Sequence, residues 1–242
     1  IYFAYFFAMP WYTTFEKTTE PPERLTGRFI SIPQLVASLL LITFLVVVPL
    51  MLVSTEVEAA SAGNLDLDHV ETDFNDKDSL QRGFKYYINY CVSCHELGYA
   101  RYERTADDIG IPHDLVSTIL IFGDALIGDL IENSMSTSDA ETWFGASPPD
   151  LTLAGRVHSP DWLYTYLRSF YNDDARPLGT NNTIYENVGM PNVLYELQGD
   201  VVRQCDDDGE HCELHREDNG VMSEDEFDTA ISDLTNFLYY VG

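Results

Sequence analysis

Hydrophobic residues are arranged in two regimes along the 242-residue chain. From Phe29 to Val53 no residue is charged, and the uncharged run is closed only by Arg28 and Glu56. A helix of that length crosses a bilayer, despite Pro33 and Pro49. Beyond Gly63 the apolar residues recur instead at helical spacing between polar ones. Leu80, Gly83, Phe84, Tyr87, Ile88 and Cys91 share one face and predict a helix from Ser79 to Cys91, with Asp78 or Ser79 as N-cap. Ser159-Pro160-Asp161 opens another, with Pro at its first position and Trp162, Leu163, Tyr166, Leu167 and Phe170 facing inward. Ser223-Glu224-Asp225-Glu226 reads as a capping box for a terminal amphipathic helix whose inner face is Phe227, Ala230, Ile231, Leu234, Phe237, Leu238 and Val241. Leu115 to Phe122 is a shorter candidate. The intervening stretches are rich in Gly, Pro, Asn, Asp and Ser, no strand-like alternation is sustained, and no internal repeat is found. The fold class that follows is mainly α, a helical domain with long loops preceded by a transmembrane or signal helix.

Charge orients that first helix. Its basic flank holds Lys17, Arg24 and Arg28, so the positive-inside rule leaves residues 10–28 in the cytoplasm and exports everything after Val53. Ala60 and Ala62 stand at the spacing of a signal-peptidase site, which favours cleavage after Ala62 over an uncleaved anchor. Residues 1–10 are apolar and lack an initiator Met, so they read as the end of an earlier membrane helix. Three pieces result: a membrane helix end and cytoplasmic loop over 1–27, an internal signal or anchor over 28–62, and an exported domain over 63–242.

Of the 13 Lys/Arg and 40 Asp/Glu, residues 1–62 hold three and five, so the exported part carries 10 basic and 35 acidic side chains, a net charge of −25. Such a surface excludes nucleic acid as a partner and suits a basic protein, although solubility alone is a sufficient reason for it.

The candidate chemistry lies in Cys91-Val92-Ser93-Cys94-His95. Two thiols three positions apart followed at once by an imidazole is the attachment signature of a c-type haem: each sulfur adds across one vinyl group, and the histidine ligates the iron. The thioredoxin-like reading of C-x-x-C wants a βαβ pattern and the zinc reading a second close pair, and neither is present around it. Export agrees with the motif, because bacteria attach haem covalently on that side of the membrane. A haem used for electron transfer is best served by a second strong axial ligand. Met190, on the Gly/Pro-punctuated loop Asn187-Val188-Gly189-Met190-Pro191, is the favoured candidate; Met135, Met222 and histidines 69, 113, 158, 211 and 215 stay open.

The haem motif, Trp143-Phe144-Gly145-Ala146-Ser147-Pro148-Pro149-Asp150-Leu151-Thr152, Asp161-Trp162-Leu163-Tyr164-Thr165-Tyr166-Leu167, Arg176-Pro177-Leu178-Gly179-Thr180-Asn181-Asn182 and the Met190 loop, in that order, resemble proteobacterial cytochrome c1. The resemblance covers most of residues 63–242. It implies a cytochrome c-like helical domain, one covalently attached haem c, His95 and Met190 as the iron ligands, and Pro148 and Pro149 packed near the haem. It also implies that Arg156 pairs with a haem propionate, against the plainer reading of a surface arginine. The activity implied is that of the haem subunit of ubiquinol–cytochrome c reductase, the cytochrome bc1 complex. There it passes single electrons from the Rieske iron–sulfur protein to cytochrome c, with cytochrome b and the membrane as further partners. The location implied is the bacterial inner membrane with the haem domain in the periplasm.

Met9-Pro10-Trp11-Tyr12, Glu16-Lys17 and Pro21-Pro22-Glu23-Arg24-Leu25-Thr26 resemble the C-terminal end of cytochrome b, which suggests a fused cytochrome b/c1 precursor. Cytochrome c1 ordinarily continues into a C-terminal membrane anchor, so the sequence ending at Gly242 is expected to be a fragment. A free-standing membrane-anchored monohaem carrier is the alternative reading, and a haem sensor or peroxidase with an open distal site is another. The remaining cysteines, Cys205 and Cys212, bracket an acidic loop. A disulfide is expected of them in an oxidising compartment, ahead of a zinc site with His211 and His215. An EF-hand register fails, because it places Gln204 and His215 where carboxylates belong.

Overall fold

The computed structural model describes residues 66–209, 211–218 and 220–242, together with 32, 33, 36, 40 and 41, which are helical and exposed. Contacts divide the chain into Ile1–Ser61 and Ala62–Gly242, and the description below concerns the second unit. Most of the apolar run expected to cross the membrane lies outside the described residues. Among the described residues no helix is long and apolar enough to do so.

Two helices form the frame. Helix α1 is Lys77–Tyr90. It begins two residues before the expected start because Asp76 takes the cap, its carboxylate accepting from the Ser79 amide at 2.9 Å. The terminal helix is Glu224–Tyr240 and carries the full capping box, Ser223 and Glu226 each accepting from the other's backbone N–H. The two pack through Gly83: a Cβ there would lie 2.2 Å from the Asp233 carbonyl oxygen and 2.6 Å from the Phe237 Cβ. Only a hydrogen fits, so the backbones touch. Phe84 and Tyr87, both fully buried, place their rings 5.2 and 5.9 Å from that of Phe237. At the edge of this apolar seam Arg82 grips the buried Asp233 with two hydrogen bonds of 2.6 and 2.9 Å.

Shorter elements complete the domain. Between the frame helices run β1 (Leu97–Arg101), α2 (Tyr102–Ile109), α3 (His113–Ile119), β2 (Leu130–Ile131), α4 (Thr137–Phe144), α5 (Ala154–His158), α6 (Pro160–Arg168), β3 (Phe170–Asn172), β4 (Thr180–Asn182), α7 (Tyr195–Gln198), β5 (Val201–Cys205) and β6 (Cys212–Arg216), so the terminal helix is α8. The strands pair as three separate antiparallel ribbons, β1 with β2, β3 with β4 and β5 with β6. They add a little sheet to the mainly helical domain expected. At two to five residues each, they are too short to show alternation in sequence. Helix α6 starts at the expected Pro160 with Ser159 as cap, but Phe170 leaves it and opens β3. The expected helix over 115–122 is α3, which starts two residues earlier and ends three earlier. Cys205 and Cys212 face each other as the last rung of β5/β6 and form a disulfide. That bond uses the sulfurs the zinc alternative required.

We expect Gly83→Ala to force the frame helices apart and to lower stability by about 1–3 kcal/mol, the usual cost of overpacking a well-fitted core. Denaturant midpoints of the two proteins measure it, and an unchanged midpoint would show that the contact yields freely.

Candidate haem-binding site

The haem motif sits where α1 ends. Four amides turn back on two carbonyls there: Cys91 and Val92 donate to Tyr87, and Cys94 and His95 donate to Cys91, at 2.8–3.0 Å. This tight wrap brings both thiols and the imidazole to one wall. Two side chains lock it, the Tyr87 hydroxyl donating to the His95 carbonyl at 2.7 Å and Asn133 Nδ2 to the Cys94 carbonyl at 3.1 Å. Both cysteines are free thiols. Burial, with a smaller contribution from Cys94 nearby, pushes the Cys91 thiol up to about 12.

His95 is oriented by the proline pair. Its Nδ1 lies 2.7 Å from the Pro149 carbonyl, which can only accept, so Nδ1 carries the proton and Nε2 keeps a free lone pair. Burial lowers the His95 pKa, and the bond to Pro149 only partly opposes this, so the ring is neutral near pH 7. Asp150 fixes the proline pair in turn: its carboxylate accepts from the Gly98 and Thr152 amides, both at 2.7 Å, while the Leu151 amide donates to Glu96.

The opposite wall is a loop held by asparagines. Asn182, fully buried, donates to the Tyr166 carbonyl at 2.8 Å and accepts from the Ile184 and Tyr185 amides. Asn181 accepts from the amides of Asn182 and Asn187. Arg176 clasps Asn187, which has φ +62°, a left-handed conformation that asparagine tolerates. Met190 follows, with the Tyr166 hydroxyl 3.5 Å from its sulfur.

Between the walls is a cavity of about 660 Å³, within the range of cofactor sites. Cys91, Cys94, His95, Pro148, Pro149 and Met190 all line it, and Leu163, Leu167, Leu234 and Leu238 make it apolar. Two free thiols, a bare imidazole nitrogen and a thioether around an apolar cavity are a donor set that fits a c-type haem.

Along 210 residues the chain is 46% identical to the cytochrome c1 of Allochromatium vinosum, over 84% of each sequence. It belongs to the cytochrome c1 family. It is also 39% identical over 192 residues to a Nitrosomonas europaea protein named ammonia monooxygenase gamma subunit, over 79% of this chain and 80% of that one. No family model matches.

Within this cytochrome c1 domain one expected site residue stands apart. Arg156 is not among the residues lining the cavity; its guanidinium lies over the Tyr239 ring, 4.1 Å from the centroid, and 5.9 Å from that of Phe74. Of the alternative sixth ligands, His158 alone lines the cavity, stacked on Trp162 at 4.3 Å. His69, His113 and His211 instead pair with Asp161, Asp107 and Asp206.

Sequence reasoning missed the parts that hold the donors. His158, Trp162, Tyr166 and Phe170 recur every four residues as an aromatic ladder, a signal available in sequence but read there only as a helix face. Asn181, Asn182 and Asp150 belonged to resembling motifs without any assigned role. Asn182→Ala leaves two loop amides without an acceptor. We expect a loss of about 1–3 kcal/mol, with hydrogen exchange at Ile184 and Tyr185 rising by at least the factor that global destabilisation gives.

Proposed function

We propose that this chain is the haem-bearing electron-transfer subunit of a ubiquinol–cytochrome c reductase, taking single electrons from a Rieske iron–sulfur protein and passing them to a cytochrome c. The observation that carries the proposal is the cavity itself, with Cys91, Cys94 and His95 on one wall and Met190 on the other. The family membership supports the assignment to a cytochrome bc1 complex. When bound, one haem c supplies the chemistry, a one-electron Fe(III)/Fe(II) couple.

The residues of the chain do the rest. Cys91 and Cys94 would tether the haem, each thiol's S–H adding across one vinyl double bond to give a thioether C–S bond and a C–H bond with no net change in oxidation level. Burial of Cys91 would keep such a linkage away from water. His95 Nε2 and the Met190 sulfur would hold the iron, and two such ligands would leave no site for oxygen. Electron transfer itself requires no side-chain acid, base or nucleophile. The apolar walls would keep water from the iron, and a thioether ligand would raise the reduction potential. The stack of Arg156 on Tyr239 supports a structural role for that residue at the α8 end, ahead of a propionate contact.

The remaining assignments form one picture. Residues 1–27 are the end of a cytochrome b-like segment fused upstream, residues 28–62 an internal signal or anchor, and residues 63–242 the domain facing the periplasm from the inner membrane. Cytochrome b, the Rieske protein and the membrane are its neighbours. The net charge of −25 over residues 63–242 suits docking of a basic cytochrome c.

Two measurements test this reading. Met190→Leu is expected to open the iron, so that carbon monoxide binds the reduced protein rapidly and the potential falls. An unchanged potential with no carbon monoxide binding would remove Met190 as ligand. Electron transfer to a basic cytochrome c should slow steeply as salt rises, because exposed charges are screened over about 8 Å at physiological ionic strength. Rates indifferent to salt would leave the acidic surface to solubility.

A further inference from the structure

We propose that Tyr166 is a positioning residue for Met190, and that its hydroxyl, by donating a hydrogen bond to the thioether sulfur, raises the reduction potential of the site. The inference rests on the reading of Met190 as an iron ligand. The contact is direct, 3.5 Å from hydroxyl oxygen to sulfur. A thioether is a weak acceptor, so the bond matters only if the donor is held on target, and the structure holds it in three ways. The Tyr166 ring is stacked on Trp162 at 4.8 Å and 8° between planes. The Phe170 ring meets it edge-on at 5.2 Å and 71°. Its backbone carbonyl accepts from Asn182, and the Asn182 side-chain oxygen accepts from the Ile184 and Tyr185 amides that begin the Met190 loop. One buried side chain therefore indexes donor helix and acceptor loop to each other.

The electronic consequence follows from the lone pairs. A thioether sulfur has two; an O–H on one leaves the other for a metal and draws electron density away from it. Ferric iron depends on that density more than ferrous iron does, so the hydrogen bond favours the reduced state. The surrounding walls are apolar, which strengthens a dipole aimed at the sulfur.

The test uses the haem-loaded protein with Tyr166→Phe, which keeps the ring and its stacking and removes only the hydroxyl. The reduction potential is expected to fall by the equivalent of a 3- to 10-fold change in the Fe(III)/Fe(II) equilibrium, about 30–60 mV at 59 mV per decade for one electron. The methionine-sulfur-to-iron charge-transfer band should persist at a shifted energy. Trp162→Leu, which loosens the ring and keeps the hydroxyl, should move the potential the same way and less. A change below 3-fold with an unmoved band in Tyr166→Phe, or a rise in potential, overturns the proposal. Met190→Leu separates the two assignments: disappearance of the band there supports the ligand reading independently of Tyr166, and its persistence removes the ligand and this proposal together.

Discussion

The contact between α1 and α8 at Gly83 is the constraint from which the site descends. Because no side chain stands between the backbones, Phe84, Tyr87 and Phe237 close over the seam, and Arg82 with Asp233 seals its polar edge. Asn236 adds a second polar tie, donating to the Asp73 carbonyl and the Ser79 hydroxyl. A burial of aromatic rings on this scale dominates the favourable side of folding. Its geometric result matters more for function. Cys91 caps the end of α1, and Leu234 and Leu238 of α8 line the same cavity, so one helix contact sets two of its walls.

Elsewhere the domain has little regular structure, and side chains replace it. A backbone N–H buried without a partner costs as much as a lost hydrogen bond, so loops wrapped over an apolar cavity need acceptors from somewhere. Asp150 provides them to Gly98 and Thr152, Asp161 to Val70, and Asn181 and Asn182 to four amides of the segment that leads to Met190. These are short side chains with little rotamer entropy to lose, which suits them to the task. The three small ribbons serve the same end: β3/β4 delivers Asn181 and Asn182 to the base of the Met190 loop.

Legibility in sequence follows the range of the interactions. The capping box at Ser223 and the cap and proline opening α6 are encoded within a few residues, and both are found as read; Cys91, Cys94 and His95, equally local, come together at one cavity. The disulfide was legible for a similar reason, since its cysteines are only seven positions apart. What was lost depends on distant partners. Nothing near Arg156 announces the ring of Tyr239, and nothing near Asn182 announces the carbonyl of Tyr166. Helices α2 and α4 escaped notice because they are only eight residues long, α4 burying just Ala140 and α2 filling two of its four buried positions with Thr105 and Ala106, although Gly110 and Gly145 close them in the left-handed conformation expected of a C-cap.

The His95 and Met190 walls of the site are built by different means, and that difference has a consequence. His95 is placed by backbone: a helix end, a wrap of four amides and a carbonyl from the neighbouring proline pair. Met190 is placed by side chains on a loop, through Asn181, Asn182 and Arg176, and the contact to its sulfur comes from a hydroxyl. Backbone wraps anchored to a packed helix open only with the helix, whereas a loop tied by side chains can open by itself at lower free energy. The histidine side is therefore the fixed reference of the site, and the methionine side is where a single substitution can shift a donor group without unfolding the frame. An electron carrier benefits from that division. Its attachment must not vary, while its potential must be matched to whatever donor and acceptor it serves.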